Sequence, residues 1–210
     1  MTTGTGRKRR QYWAHPTAMI NPAAQIGAGT KIWQHSQVLA GAIIGQECII
    51  GHNCTVWGRA VLGDQVTLES NIDVWPAVTI EAGAFLGPSA VLTNDLTPRA
   101  FHKKGGVYVP TLIQRGAAIG ANATIICGHT IGAYAVVGAG SVVSKNVSAY
   151  AKVVGNPARR IGWVCRDNRW TNLDFSIQAQ VICPHCGLIY RLENNLVVEI
   201  DPNQSPAEAP

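Results

Sequence analysis

An aliphatic residue returns at every sixth position through more than a third of this chain. The series runs Ile20, Ile26, Ile32, Val38, Ile44, Ile50, Val56, Leu62, Leu68, Val74, Ile80, Leu86 and Leu92, and then breaks. It resumes at Ile113, Ile119, Ile125, Ile131, Val137 and Val143. A period of six fits neither the 3.6 of a helix nor the alternation of a flat strand. It fits a coil whose short strands each cover the strand of the turn before, an all-β parallel solenoid. The residue two before each aliphatic is usually small, as at Thr30, Ser36, Ala42, Cys48, Cys54 and Ala60. Glycine often follows the aliphatic, as at Gly45, Gly63, Gly120 and Gly138, and is expected to relax the backbone at the corners.

If three such hexads close a coil, residues 18 apart stack at the usual strand spacing of about 4.8 Å. Two columns follow. His35, Asn53, Asn71 and Ser89 share one corner, and Leu39, Trp57, Trp75 and Thr93 stand just past it, facing outward. Stacked asparagines commonly form structural ladders, whereas outward tryptophans need cover from a ligand or a neighbouring subunit. Both columns end beside Asn94, where the period fails.

The expected organisation is a basic leader at 1–14, a repeat domain at 15–163 with an inserted loop at 94–112, a small unit at 164–200 and a flexible tail at 201–210. Only 14% of the residues are charged, as suits a chain that buries much of its surface in coils. The net charge of +5 owes much to Arg7, Lys8, Arg9 and Arg10 in the leader. Seven of the other cations gather at 99–104 and 159–169, which favours anionic small molecules over nucleic acid. No apolar run approaches the ~18 residues of a membrane span or follows the leader as a signal peptide would. A cytoplasmic protein with no membrane or nucleic-acid partner is expected.

Four segments carry a resemblance. The run Gly116–Ile125, the run Cys127-Gly128-His129-Thr130-Ile131-Gly132 and the run Val137–Val147 precede Val154-Gly155-Asn156-Pro157-Ala158-Arg159-Arg160. Together they resemble the acetyl-CoA-dependent hexapeptide-repeat acyltransferases over nearly all of 15–163. Gly87-Pro88-Ser89, Thr93-Asn94 and Pro98-Arg99 narrow the likeness to N-acetyltransferases of nucleotide-linked 3-amino sugars, which make bacterial surface-polysaccharide precursors. Cys183-Pro184-His185 resembles the branch acting on a UDP-linked 3-amino glucuronate. The Gly-His-Thr-Ile-Gly run and the segment through Cys165 resemble the dTDP-3-amino-6-deoxyhexose branch instead. Two departures concern sugar recognition: Trp33-Gln34-His35 replaces a Trp-His-Phe, and Ser70-Asn71 replaces paired asparagines.

The resemblance implies a left-handed coil, acetyl-CoA as co-substrate, and a homotrimer with sites between subunits. It puts Asn94 beside the attacking amine, with His129 as the competing candidate for a catalytic base. The implied acceptor residues are Asn53, Asn71, Trp75, Arg99 and Lys103; cations on the loop suit a diphosphate. The implied coenzyme A residues are Gly120, Asn122, Gly138, Gly155, Asn156, Pro157, Arg159 and Arg160. Alternatives are O-acetyl transfer, a 4-amino acceptor, or a non-catalytic scaffold. A zinc hydratase on a similar solenoid needs convergent histidines five residues apart, and His15, His35, His52, His102, His129 and His185 contain no such pair. Cys165, Cys183 and Cys186 offer three of the four ligands of a closed zinc site, so no obligatory metal is expected.

Overall fold

The computed structural model describes residues 11–101, 105, 107–167 and 172–200. These residues form strands and turns with no helix. Most strands are two residues long and pair in parallel with the strand one coil away: Lys31 lies beside Ile49, Ile49 beside Thr67, Thr67 beside Phe85. The aliphatic beat supplies the inward residue of each strand. Ile32, Ile50, Leu68, Leu86, Ile119 and Ile125 are fully buried and stack into one continuous core. The left-handed parallel β-helix expected of such repeats is the fold.

The corners show where the backbone is bent. Three residues before each inward aliphatic, the chain enters the left-handed region: His35 (φ 60°), Asn53 (56°), Arg59 (68°), Asn71 (63°), Ala77 (67°), Ser89 (58°) and Asn122 (55°). A residue with a Cβ in this region costs roughly 1 kcal/mol, and asparagine tolerates it best. The glycines that follow the aliphatic therefore do not relax the corner, contrary to expectation. Their role is space. A Cβ on Gly45 would lie 2.6 Å from the Asp64 backbone nitrogen, and one on Gly120 only 2.4 Å from that of Ala139.

The small slot is also more than a filler. Thr30 donates to the Gly45 carbonyl (2.8 Å) and accepts from the Cys48 amide (3.1 Å). Ser36 repeats the pattern with Gly51 and Cys54. Cys48 and Cys54 carry the ladder on, their thiols donating to the carbonyls of Gly63 (3.1 Å) and Glu69 (2.9 Å). Burial raises both thiol pKa values, that of Cys54 to about 11, so neither serves as a nucleophile near neutral pH.

Three sheets make the faces of the prism. The first is continuous from Trp13–Ala14 to Ala151–Val154, and the third from Gln25–Ile26 to Thr130–Ile131. The second is divided. One sheet ends at Asp73–Val74 and the next begins at Val91–Leu92. The insertion leaves directly after this second sheet's first strand. Ile80 pairs with Ile113, 33 residues on, fifteen more than one coil requires. The Val109 amide donates to the Asn94 carbonyl (3.4 Å) and closes the neck of the loop. After the last coil, Arg159–Val164 turns back antiparallel onto Ala151–Val154. A separate antiparallel sheet of Gln180–Ile182, Ile189–Glu193 and Leu196–Ile200 packs there through Tyr190, whose ring meets Tyr150 edge-on at 5.5 Å.

Candidate active site

The second face gathers the polar residues that the 18-residue stacking brings together. Asn53 and Asn71 follow one another at a corner, and Asn53 Nδ2 donates to Asn71 Oδ1 (2.9 Å). Next to them the indoles of Trp57 and Trp75 stack at 5.1 Å with 23° between their planes. Trp57 Nε1 is buried and has no hydrogen-bond partner among the described residues. Where the second face divides, a cleft of about 340 Å³ opens. Asn71, Asp73, Trp75, Thr93, Asn94, Asp95 and Pro98 line it. Three of the expected residues, Asn71, Trp75 and Asn94, thus share one cleft, with Asn53 bonded to its rim.

Two residues of this cleft escaped the sequence reading. Asp73 lies between Asn71 and Trp75 and precedes the inward Val74, so strand alternation alone turns it outward toward the same space. Asp95 follows Asn94 and accepts the Thr97 amide through Oδ1 (2.9 Å). Two carboxylates flank an amide and an indole, a set suited to a cationic amine on a ring. Among the described residues of the loop, Arg99 does not line this cleft. Arg99 is exposed and donates to the Pro98 carbonyl (2.8 Å). Lys103 lies outside the described residues. The returning arm of the loop does fold back, placing the Tyr108 ring 5.8 Å from the Arg59 guanidinium.

His129 opens elsewhere. It sits half-buried on the third face, in a cleft of about 340 Å³ with Ala77, Thr79, Pro110, Thr111, Leu112, Gly128 and Thr130. The two ends of the insertion separate it from Asn94: Val109 bonds to Asn94 on one side, and the Gly128 amide donates to Pro110 on the other (3.0 Å). Within one chain the two catalytic candidates therefore flank the neck of the loop without sharing a cleft.

The residues expected to hold coenzyme A divide into two groups. Gly120 and Gly138 are fixed by coil packing, since a Cβ on Gly138 would meet Val154 at 2.7 Å. Asn122 occupies the left-handed corner in line with Asn71 and Ser89, and the Gly155 amide donates to Ser141 Oγ (3.1 Å). Asn156 and Pro157 make the turn that returns the chain, and Arg159 and Arg160 border a cleft of about 310 Å³ with Ser144, Lys145, Asn146 and Ser148. Lys145 is a third cation that the sequence reading passed over. Arg160 is already engaged: its guanidinium lies 4.2 Å from the Trp163 ring centre and donates to Asn195 Oδ1 (2.7 Å). Arg159, exposed, bonds only to the neighbouring Ala158 carbonyl among the described residues. No trio of histidines converges among the described residues; the group with metal-ligand chemistry is Cys165, Cys183 and Cys186.

Comparison with known proteins places this geometry. Residues 23–58 match the bacterial transferase hexapeptide (six repeats) model, and residues 110–145 match the hexapeptide repeat of succinyl-transferase. A dTDP-3-amino-3,6-dideoxy-alpha-D-galactopyranose 3-N-acetyltransferase of Aneurinibacillus thermoaerophilus is 39% identical over 194 residues, covering 90% of this chain and 95% of that protein. The serine acetyltransferase of Escherichia coli K12 is 34% identical, but the match spans 54% of this chain and about half, 48%, of that protein. Among solved structures, the acetyltransferase domain of PglB from Neisseria gonorrhoeae with acetyl coenzyme A superposes at a TM-score of 0.47 and 23% identity, covering 72% of this chain and 58% of that one. A mutant of GDP-perosamine N-acetyl transferase from Caulobacter crescentus, with CoA and GDP-perosamine, superposes at 0.44 and 24%, covering 70% and 55%. With a full-length relative at this identity and repeat models on both sides of the insertion, the chain belongs to the hexapeptide-repeat acetyltransferases, beside the dTDP-3-amino-sugar 3-N-acetyltransferase.

Proposed function

We propose that this protein transfers the acetyl group of acetyl-CoA to the 3-amino group of a nucleotide-linked amino sugar. The observation that carries the reading is the cleft at the divided second face, where Asn71, Asp73, Trp75, Asn94 and Asp95 converge. Its volume is at the low end for a small-molecule site, so it fits the sugar and leaves the nucleotide to the loop or a second subunit. The sugar amine arrives as an ammonium. Asp73 and Asp95 attract that cation, and Trp75 offers an apolar face to the ring.

The reaction requires the amine to be neutral. Once the ammonium has passed one proton to solvent water, its lone pair attacks the thioester carbonyl and a tetrahedral oxyanion forms. The C–S bond then breaks, and the departing thiolate takes up the amine's remaining surplus proton, so that free thiol and amide result. Asn94 orients the amine through its carboxamide oxygen. Coenzyme A lies along the second repeat block, past Gly120, Asn122 and Gly138, toward Gly155, Asn156 and Pro157. Its phosphates meet Arg159, Arg160 and Lys145, whose cleft is the cationic end of the solenoid.

The nucleotide is dTDP in this reading, because the full-length relative acts on a dTDP-linked 3-amino sugar and matches 95% of its own length. The product serves surface-polysaccharide synthesis in the cytoplasm; no helix among the described residues is long and apolar enough to cross a membrane. The test follows thiol release from acetyl-CoA with UDP- and dTDP-linked amino sugars in parallel. Rapid release with dTDP-3-amino-6-deoxyhexoses is expected. Release only with hydroxyl acceptors would favour the O-acetyl alternative, to which the half-buried His129 is better suited.

The assembly is a homotrimer, with the acceptor cleft of one subunit closed by the next. Trp13, Ile49 and Phe85 stand outward along the first face with 46%, 42% and 40% of their surface exposed, alternating with Lys31 and Thr67, and such exposed apolar side chains gain from cover. Light scattering should report three chains per particle. A monomeric mass would remove the shared site.

A further inference from the structure

Outside the transfer site, the small sheet at the end of the chain brings three cysteines together. Cys165 follows the strand Arg159–Val164 that closes the solenoid. Cys183 and Cys186 lie in the turn that joins Gln180–Ile182 to Ile189–Glu193. Their three sulfurs lie within 4.8 Å of one another, although Cys183 follows Cys165 by 18 positions. Cys165 and Cys183 are fully buried and Cys186 is half-buried. None of the three is in a disulfide.

The turn itself is built around a sulfur. The Cys183 amide donates to the Leu188 carbonyl (2.8 Å), and the Gly187 amide donates back to the Cys183 carbonyl (2.9 Å). Gly187 sits at φ 70°, which a glycine adopts freely. The backbone amides of Cys186 and His185 donate to the Cys183 sulfur. Amide donors around a buried sulfur are the surroundings that a metal-bound thiolate needs. Three sulfurs gathered so closely gain most from a shared cation.

We propose that Cys165, Cys183 and Cys186 bind one zinc ion as three thiolates, with a solvent molecule in the fourth position. Zinc binds thiolate at about 2.3 Å, which sets tetrahedral sulfurs about 3.8 Å apart. The observed spread closes to that value with small side-chain movements. The soft ligand set selects zinc over magnesium or calcium, which take oxygen ligands. Tyr190 roofs the site: its hydroxyl lies 3.8 Å from Cys186 Sγ and accepts the Arg166 amide (3.2 Å).

The ion is a clasp and takes no part in acetyl transfer. It ties the chain leaving the solenoid to the sheet that follows. That sheet holds Arg160 through Asn195 and Tyr150 through Glu199. Folding of the sheet is therefore linked to metal binding.

The test begins with elemental analysis of the full-length protein purified without chelators. One zinc per chain is expected, and cobalt(II) in its place should give thiolate charge-transfer and tetrahedral ligand-field bands. Cys183→Ser should lose the metal, while His185→Ala, at the exposed tip of the same turn, should keep it. If Cys183→Ser does not fold, the wild-type protein still decides: stripping with a chelator should lower Tm, and zinc(II) alone should restore it. The proposal is overturned if the wild-type chain takes up no zinc after zinc(II) addition and gel filtration. It is equally overturned if Cys183→Ser retains zinc, or if the intact mass is lower by two hydrogens, which would show a disulfide.

Discussion

Replacing Asn94 by alanine should lower turnover about 100-fold, the usual scale for one positioned polar group at a reacting centre. The expectation rests on its place in the cleft, beside Asp73 and Trp75 and at the mouth of the loop. The Val109 amide bonds to the Asn94 carbonyl, not to its side chain, so alanine preserves the neck of the loop. The loss should therefore fall on kcat more than on thermal stability. His129→Gln is the matching experiment. Glutamine keeps hydrogen-bonding capacity in the third-face cleft and removes a titratable group. A small effect leaves the thiolate as the final proton acceptor. An effect larger than that of Asn94→Ala would make His129 the base and move the chemistry to the other side of the loop.

The second large effect concerns the coil. A methyl group on Gly120 would lie 2.4 Å from the Ala139 nitrogen and 2.8 Å from its Cα, both backbone atoms of the next coil. Neither can move without parting a strand pair. Gly120→Ala should destabilise by about 3 kcal/mol, the upper range for overpacking, and lower Tm by roughly 6–12 °C in a chain of this size. Gly140→Ala is the contrast. Nothing lies within 4 Å of its Cβ position, and its φ of 68° leaves only the left-handed penalty of roughly 1–2 kcal/mol. Calorimetry separates the two. If Gly120→Ala melts like the wild type but binds acetyl-CoA poorly, that glycine serves the ligand and not the coil.

The solenoid was legible because its physics is one-dimensional. Each coil contacts only its neighbours, so the requirement for an inward aliphatic repeats without change from Ile20 to Leu92. The same stacking made the neighbourhood of Asn71, Trp75 and Asn94 legible. The corner conformation was not. His35, Arg59, Ala77 and Tyr134 all adopt positive φ, and no shared side-chain chemistry marks them. Contacts beyond the repeat were also hidden. Arg160 meets Asn195, and Tyr150 donates to Glu199 (3.2 Å), across 35 and 49 residues without periodicity. Nor does the period show that the second sheet divides between Val74 and Val91, since the six-residue beat runs through that point unbroken. Asp73 enters the site through that division.

The cleft at the divided face is expected to present a sugar amine to acetyl-CoA. The most direct measurement is the position of the acetyl group on the product formed from a dTDP-linked 3-amino-6-deoxyhexose, read by NMR. An amide at C3 is expected, made at a rate that falls about 100-fold in Asn94→Ala. An ester on a ring hydroxyl, or no acetylated sugar at all while acetyl-CoA binds normally, would contradict it.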